Sequence, residues 1–136
     1  RPDMALFLFT KAILRNDKID VYNFGKMKRD FTYVDDIING ILNIIEAKKK
    51  KLYSIYNIGN NNTVELLNFI KVIEKKLGKR AKMNLLPIQP GDVSETWANV
   101  DNLIKDYKYK PTTKIEVGVG RFIDWYINYF KVEKEN

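Results

Sequence analysis

Neither cysteine nor histidine occurs in the 136 residues. Disulfides, thiolate nucleophiles and imidazole as base or metal ligand are therefore excluded, and no metal site is expected. Apolar runs are short: none approaches the ~20 residues that span a bilayer, and nothing resembles a signal peptide. The expectation is a cytoplasmic protein with no membrane partner. The seven glycines nowhere form a G-x-x-G-x-x-G turn, so no segment is suited to cradle a dinucleotide pyrophosphate at a helix start. Tyr22 and Lys26 are four apart but fall on a strand and a turn, not on one helix face. The spacing therefore nominates no tyrosine base supported by a lysine, and no catalytic residue is identified.

What is present is an ordinary globular composition, 45% hydrophobic, 12% aromatic and 30% charged, which excludes wholesale disorder. A chain of this length can bury roughly 68–70% of its unfolded surface, enough for one domain with a real core. There is no internal repeat and no low-complexity linker. The chain opens on Arg1-Pro2 and not on Met, so a piece of something longer is expected. Lysine and arginine outnumber aspartate and glutamate by 24 to 17, giving a net charge of +7. Such a balance favours acidic partners, whether nucleic acid, an anionic membrane or a phosphorylated small molecule. The lysine run at 48–51 reads as a solvated helix end that complements the helix dipole. No stretch interleaves basic residues with exposed aromatics, and no helix carries Arg and Asn on one face, so nucleic acid is not the expected partner.

In chain order, Asp3 is expected to cap a helix through Met4, Phe9, Ile13 and Leu14, apolar around most of its circumference, with part of it facing something outside the chain. Ile19, Val21 and Tyr22 read as a short strand closed by a turn at 23–25. A helix opened by Asp35 or Asp36 would bury Ile37, Ile38, Ile41, Leu42, Ile44 and Ile45. Residues 53–58 read as a strand. Asn62 or Thr63, with Glu65 at capping-box spacing from Asn62, would cap a helix burying Leu66, Phe69, Ile70, Ile73 and Leu77 and stopping at Gly78. A strand at 83–86 leads into Pro87-Ile88-Gln89-Pro90-Gly91-Asp92, an ordered turn that holds the Asp92 carboxylate at its exit. Trp97 is expected in the core and Asp101 as the cap of a short helix at 102–107. The last helix would bury Ile115, Val119, Phe122, Ile123, Tyr126, Ile127 and Phe130, and the tail at 133–136 would fray. Short strands alternating with four or five helices argue an α/β or α+β architecture.

Residues 26–37, K-M-K-R-D-F-T-Y-V-D-D-I, run a basic cluster into an alternating segment and then a helix start. Arg29 lies just before the expected strand, where its planar fork of donors suits phosphate oxygens. On the residues alone, Arg29 could equally pair with Asp30 or Asp35, Asp92 could cap its own turn, and Tyr22 could be core.

Five segments occur together in order: residues 1–9 (R-P-D-M-A-L-F-L-F), 19–25 (I-D-V-Y-N-F-G), 29–37, 56–65 (Y-N-I-G-N-N-N-T-V-E) and 89–92 (Q-P-G-D). Together they resemble the C-terminal part of an extended short-chain dehydrogenase/reductase, specifically a UDP-glucuronate 4-epimerase-like nucleotide-sugar epimerase, over nearly the whole chain. The resemblance implies that residues 1–136 are the C-terminal nucleotide-sugar-binding domain of a longer isomerase of polysaccharide biosynthesis. Its NAD-binding Rossmann domain would lie upstream with every catalytic residue, and the whole enzyme would be a homodimer. It implies an Arg29 contact to the UDP diphosphate, an Asp92 contact to ribose hydroxyls, a uracil pocket lined by Val21 and Tyr22, and Arg1 near the sugar carboxylate. Gln89 stands where many relatives place a second phosphate-binding arginine; Lys26 or Lys28 could compensate for the missing charge. Another UDP-sugar epimerase, dehydratase or decarboxylase of the same family, and a free-standing basic module for nucleotides or nucleic acid, are the alternatives.

Overall fold

The computed structural model describes residues 2–48 and 52–132. Arg1, most of the lysine run and the 133–136 tail lie outside them. The apolar spacing of the third helix does what its period demands. α3 (Leu66–Leu77) buries Phe69, Ile70 and Ile73 almost completely, and Gly78 ends it in a left-handed conformation with φ 68°. α5 (Ile115–Phe130) packs on α3 through Val119 and Ile123, and α1 (Ala5–Leu14) covers the same core through Phe9 and Ile13. The expected burial of Phe130 does not hold: the residue is 47% exposed, its ring in edge contact with Phe7.

Two small sheets border this core. β1 (Lys18–Val21) runs parallel to β4 (Lys82–Leu85). β2 (Lys28–Asp30) lies between β3 (Thr63–Glu65), antiparallel to it, and β5 (Glu95–Thr96), parallel to it. The α/β class expected from the alternation is the class observed. A second cluster of Val100, Leu103, Tyr107 and Tyr109 joins α4 (Asp101–Tyr107) to α2 (Val34–Glu46) and to the segment around Ile58.

Several local expectations are corrected by longer-range bonds. Tyr22 is not in the strand but opens a tight turn (Tyr22–Gly25) with left-handed Asn23, Phe24 and Gly25. Neither Asn62 nor Thr63 caps α3: Thr63 and Glu65 pair instead with β2, and the Leu66 N–H is satisfied by the Met27 carbonyl at 2.8 Å. Met4 occupies the N-cap position of α1 where Asp3 was expected, and Asn99 Oδ1 accepts the N–H of Asp101 at 3.0 Å. Residues 53–58 form no strand; Tyr56 and Ile58 turn inward while Tyr53 and Ile55 face out. Trp97 is 60% exposed and not core.

The helix α2 departs most from expectation. Its inner face is Asp36, Gly40 and Ile44, continued by Ala47 just past its end, and it is seated against Tyr109 and the loop at 112–113. Val34, Ile38, Ile41, Leu42 and Ile45 form an outward stripe, each 43–59% exposed. The helix ends at Glu46, so Lys48 lies beyond it and does not sit in its last turn.

Candidate functional site: an arginine–aspartate pair between two short sheets

Arg29 lies inside β2, flanked by ladder bonds on both edges, and not ahead of a strand. The register alternation places neighbouring side chains on opposite faces of the strand. One face carries Arg29, whose Nη2 donates to Asp92 Oδ1 at 3.0 Å, while Nη1 donates to the Lys28 carbonyl at 2.9 Å. The two residues are 63 positions apart in sequence. Neither Asp30 nor Asp35 is the partner of Arg29: Asp30 is bonded elsewhere, and Asp35 faces Arg121 at 3.4 Å.

Asp92 reaches Arg29 because its turn is rigid. The Asp92 N–H donates to the Gln89 carbonyl at 3.1 Å, with Pro90 second and a positive-φ Gly91 third, the residues a type II turn requires. Asp92 Oδ1 also accepts the Val93 N–H at 2.8 Å, so this carboxylate braces its own turn and faces the arginine at once. Gln89 is exposed on the same turn.

The turn at 22–25 adjoins this loop through the backbone: Phe24 N–H donates to the Leu86 carbonyl, and Leu86 N–H to the Val21 carbonyl, both at 3.0 Å. Val21 is completely buried, so its side chain belongs to the core and its carbonyl is already engaged. Tyr22 is half-buried on the turn. The structure thus brings Arg29 and Asp92 into contact and sets Gln89 and Tyr22 on segments bonded to the same loop. Arg1 falls outside the described residues.

Magnitudes decide what the pair can do. Its side chains are 29% and 35% exposed, and such an ion pair is worth ~0.2–1 kcal/mol. A charge-assisted bond to phosphate contributes ~1.5–3 kcal/mol. A pair this exposed can exchange partners: the guanidinium is able to donate to an anionic oxygen, and the carboxylate to accept from a hydroxyl.

Two carboxylates matter that sequence reading assigned no ligand-site role. Asp30 accepts four hydrogen bonds from residues 32, 60, 61 and 98. Asp36 does not cap α2; buried at 3% exposure, it accepts bonds from Thr112 and Thr113. Burial pushes the Asp36 carboxyl up, but these bonds outweigh it and hold it below the ordinary carboxylate value. Tyr109 is pushed up by burial and by the Asp36 and Asp30 carboxylates, so it stays a neutral donor to the Gly59 carbonyl at 2.8 Å. The only sequence signal for Asp30 was strand alternation, which sets it opposite Arg29. A separate cavity of about 420 Å³, lined by Met4, Phe7, Phe31, Val34, Ile115 and Phe122 among others, does not include the pair.

Comparison with known proteins identifies the family. The model of the NAD dependent epimerase/dehydratase family matches residues 1–59. The chain is also 50% identical over 147 aligned positions to Protein CapI of Staphylococcus aureus, covering 96% of this chain and 44% of that protein. It belongs to the NAD dependent epimerase/dehydratase family. This epimerase-family chain is likewise 37% identical to a probable UDP-glucuronate 4-epimerase of Rhizobium meliloti, over 93% of its own length and 42% of the relative's. It superposes with a TM-score of 0.87 at 34% identity on UDP-glucuronic acid 4-epimerase from Bacillus cereus, solved with UDP-glucuronic acid and NAD, covering 96% of this chain and 41% of that one. The chain spans less than half the length of each.

The epimerase family is NAD-dependent, yet the described residues of this chain do not fit a dinucleotide. A cradle needs glycines that leave room for a pyrophosphate at a helix start. Here Gly25, Gly40, Gly59 and Gly118 are closely approached by protein side chains, and Gly78 and Gly91, where space is open, sit at a helix end and a turn.

Proposed function

We propose that this chain is the nucleotide-sugar-binding part of a longer NAD-dependent epimerase that interconverts UDP-glucuronate and UDP-galacturonate at C4, and that it is inactive alone. Arg29 holds the diphosphate, Asp92 the ribose hydroxyls, and Tyr22 packs beside the base, with Val21 fixing where Tyr22 begins. NAD and the redox residues belong to the remaining length that the relatives possess. The observation that carries this reading is the Arg29–Asp92 pair, a donor suited to phosphate beside an acceptor suited to hydroxyls, in a chain 34% identical to an epimerase solved with UDP-glucuronic acid.

Calorimetric titration of UDP tests it. Arg29→Ala should weaken binding about 10- to 100-fold, the loss of one charge-assisted contact, and Asp92→Asn should weaken UDP more than inorganic pyrophosphate, which has no ribose. In the longer protein, Arg29→Ala should raise KM for UDP-glucuronate. Unchanged UDP affinity in both variants overturns the assignment.

A further inference from the structure

We infer that Asp30 is a positioning residue for the nucleotide site, acting through Arg29 and Asp92 and never touching ligand; this rests on the diphosphate role given to Arg29 above. The Asp30 carboxylate is saturated with donors. A carboxylate offers about four acceptor positions, and those of Asp30 are all taken. Oδ1 accepts from Thr32 Oγ1 at 3.0 Å and from the Asn60 N–H at 2.9 Å. Oδ2 accepts from the Asn61 N–H at 3.0 Å and from the Ala98 N–H at 3.3 Å. No acceptor capacity is left for a substrate hydroxyl.

What those bonds hold is the frame of the site. The segment carrying Asp92 runs along β2 and is fastened to it at two points. Lys28 N–H donates to the Ser94 carbonyl at 2.8 Å, and Ala98 N–H reaches the Asp30 carboxylate just past the last ladder pair, Arg29 with Thr96. Asp30 therefore locks the register of residues 94–98 against β2, and with it the distance from Asp92 to Arg29. On the same carboxylate it gathers the loop at 60–61. Gly59 makes that approach possible, since a Cβ there would lie 3.0 Å from Asp30 Oδ2 and 2.6 Å from the Ala98 Cβ.

The substitution Asp30→Asn keeps the shape but turns one oxygen into an NH₂ that faces donors, so half of the frame comes loose. A double-mutant cycle separates positioning from general damage. UDP affinity is measured for the parent, Asp30→Asn, Arg29→Ala and the double variant, with a thermal melt of each. The expected result is about a tenfold loss from Asp30→Asn when Arg29 is present and a clearly smaller one, that of the Asp92 contact alone, when Arg29 is alanine. Thr32→Val, which removes a single bond to Oδ1, should give a smaller loss with the same dependence on Arg29, and stands in if Asp30→Asn does not fold. An equal loss in both backgrounds, or no loss in a variant that still folds, overturns the inference while leaving Arg29 as a ligand residue. An Arg29→Ala variant that binds UDP as the parent does overturns the underlying site and this inference with it.

Discussion

Gly25 shows how narrowly the site's geometry is specified at single residues. It closes three successive left-handed residues with φ 80°, and a Cβ there would sit 2.3 Å from Leu67 Cγ. An L side chain meets both the left-handed penalty and an occupied space, so Gly25→Ala should destabilise by about 2–4 kcal/mol in denaturant titration. Asp36 gives a pH signature. Its folded carboxyl titrates below its ordinary value, so the unfolded chain takes up the proton first as pH falls. The stability it contributes is complete above the ordinary carboxylate range and is lost as pH drops through the lowered folded value. Asp36→Asn should cost about 1–3 kcal/mol at pH 7, and the gap between parent and variant melts should shrink steadily below roughly pH 4.

At the scale of elements, α2 and the segment at 52–58 belong together. The helix turns Asp36, Gly40 and Ile44 inward and leaves its most apolar stripe outside. The segment keeps the alternation of a strand, Tyr56 and Ile58 in, Tyr53 and Ile55 out, without a ladder partner. Exposed apolar stripes of this size are commonly interaction surfaces. For the chain by itself, Ile41→Asp with Ile45→Asp should leave the melting midpoint within a few degrees, since both are exposed, and should reduce self-association in sedimentation velocity. Retained association together with a large loss of stability would mean the stripe is core. Periodicity identified this helix correctly and misjudged its buried side, because a period says which residues share a face and not what that face meets. The expectation of an uncovered element fell on α1; α1 does leave Met4 and Leu8 exposed, but α2 leaves more.

For the whole molecule, the +7 charge left the class of anionic partner open. The diphosphate role proposed for Arg29 would narrow it; among the described residues no helix is long and apolar enough to cross a membrane. The absence of histidine, cysteine and a glycine-rich turn, the core face of α3, the stop at Gly78 and the turn at Asp92 were all legible in the amino-acid order. The absences are matters of composition, and the others rest on spacing or turn chemistry within a few positions of one another. Three things only the folded chain decided: that Arg29 meets Asp92 across 63 residues, that Asp30 collects donors from the loops at 60–61 and 98, and that α2 turns its apolar side outward. Those are long-range pairings, chosen by which buried groups must find a partner once the core has closed, and no local pattern encodes the choice.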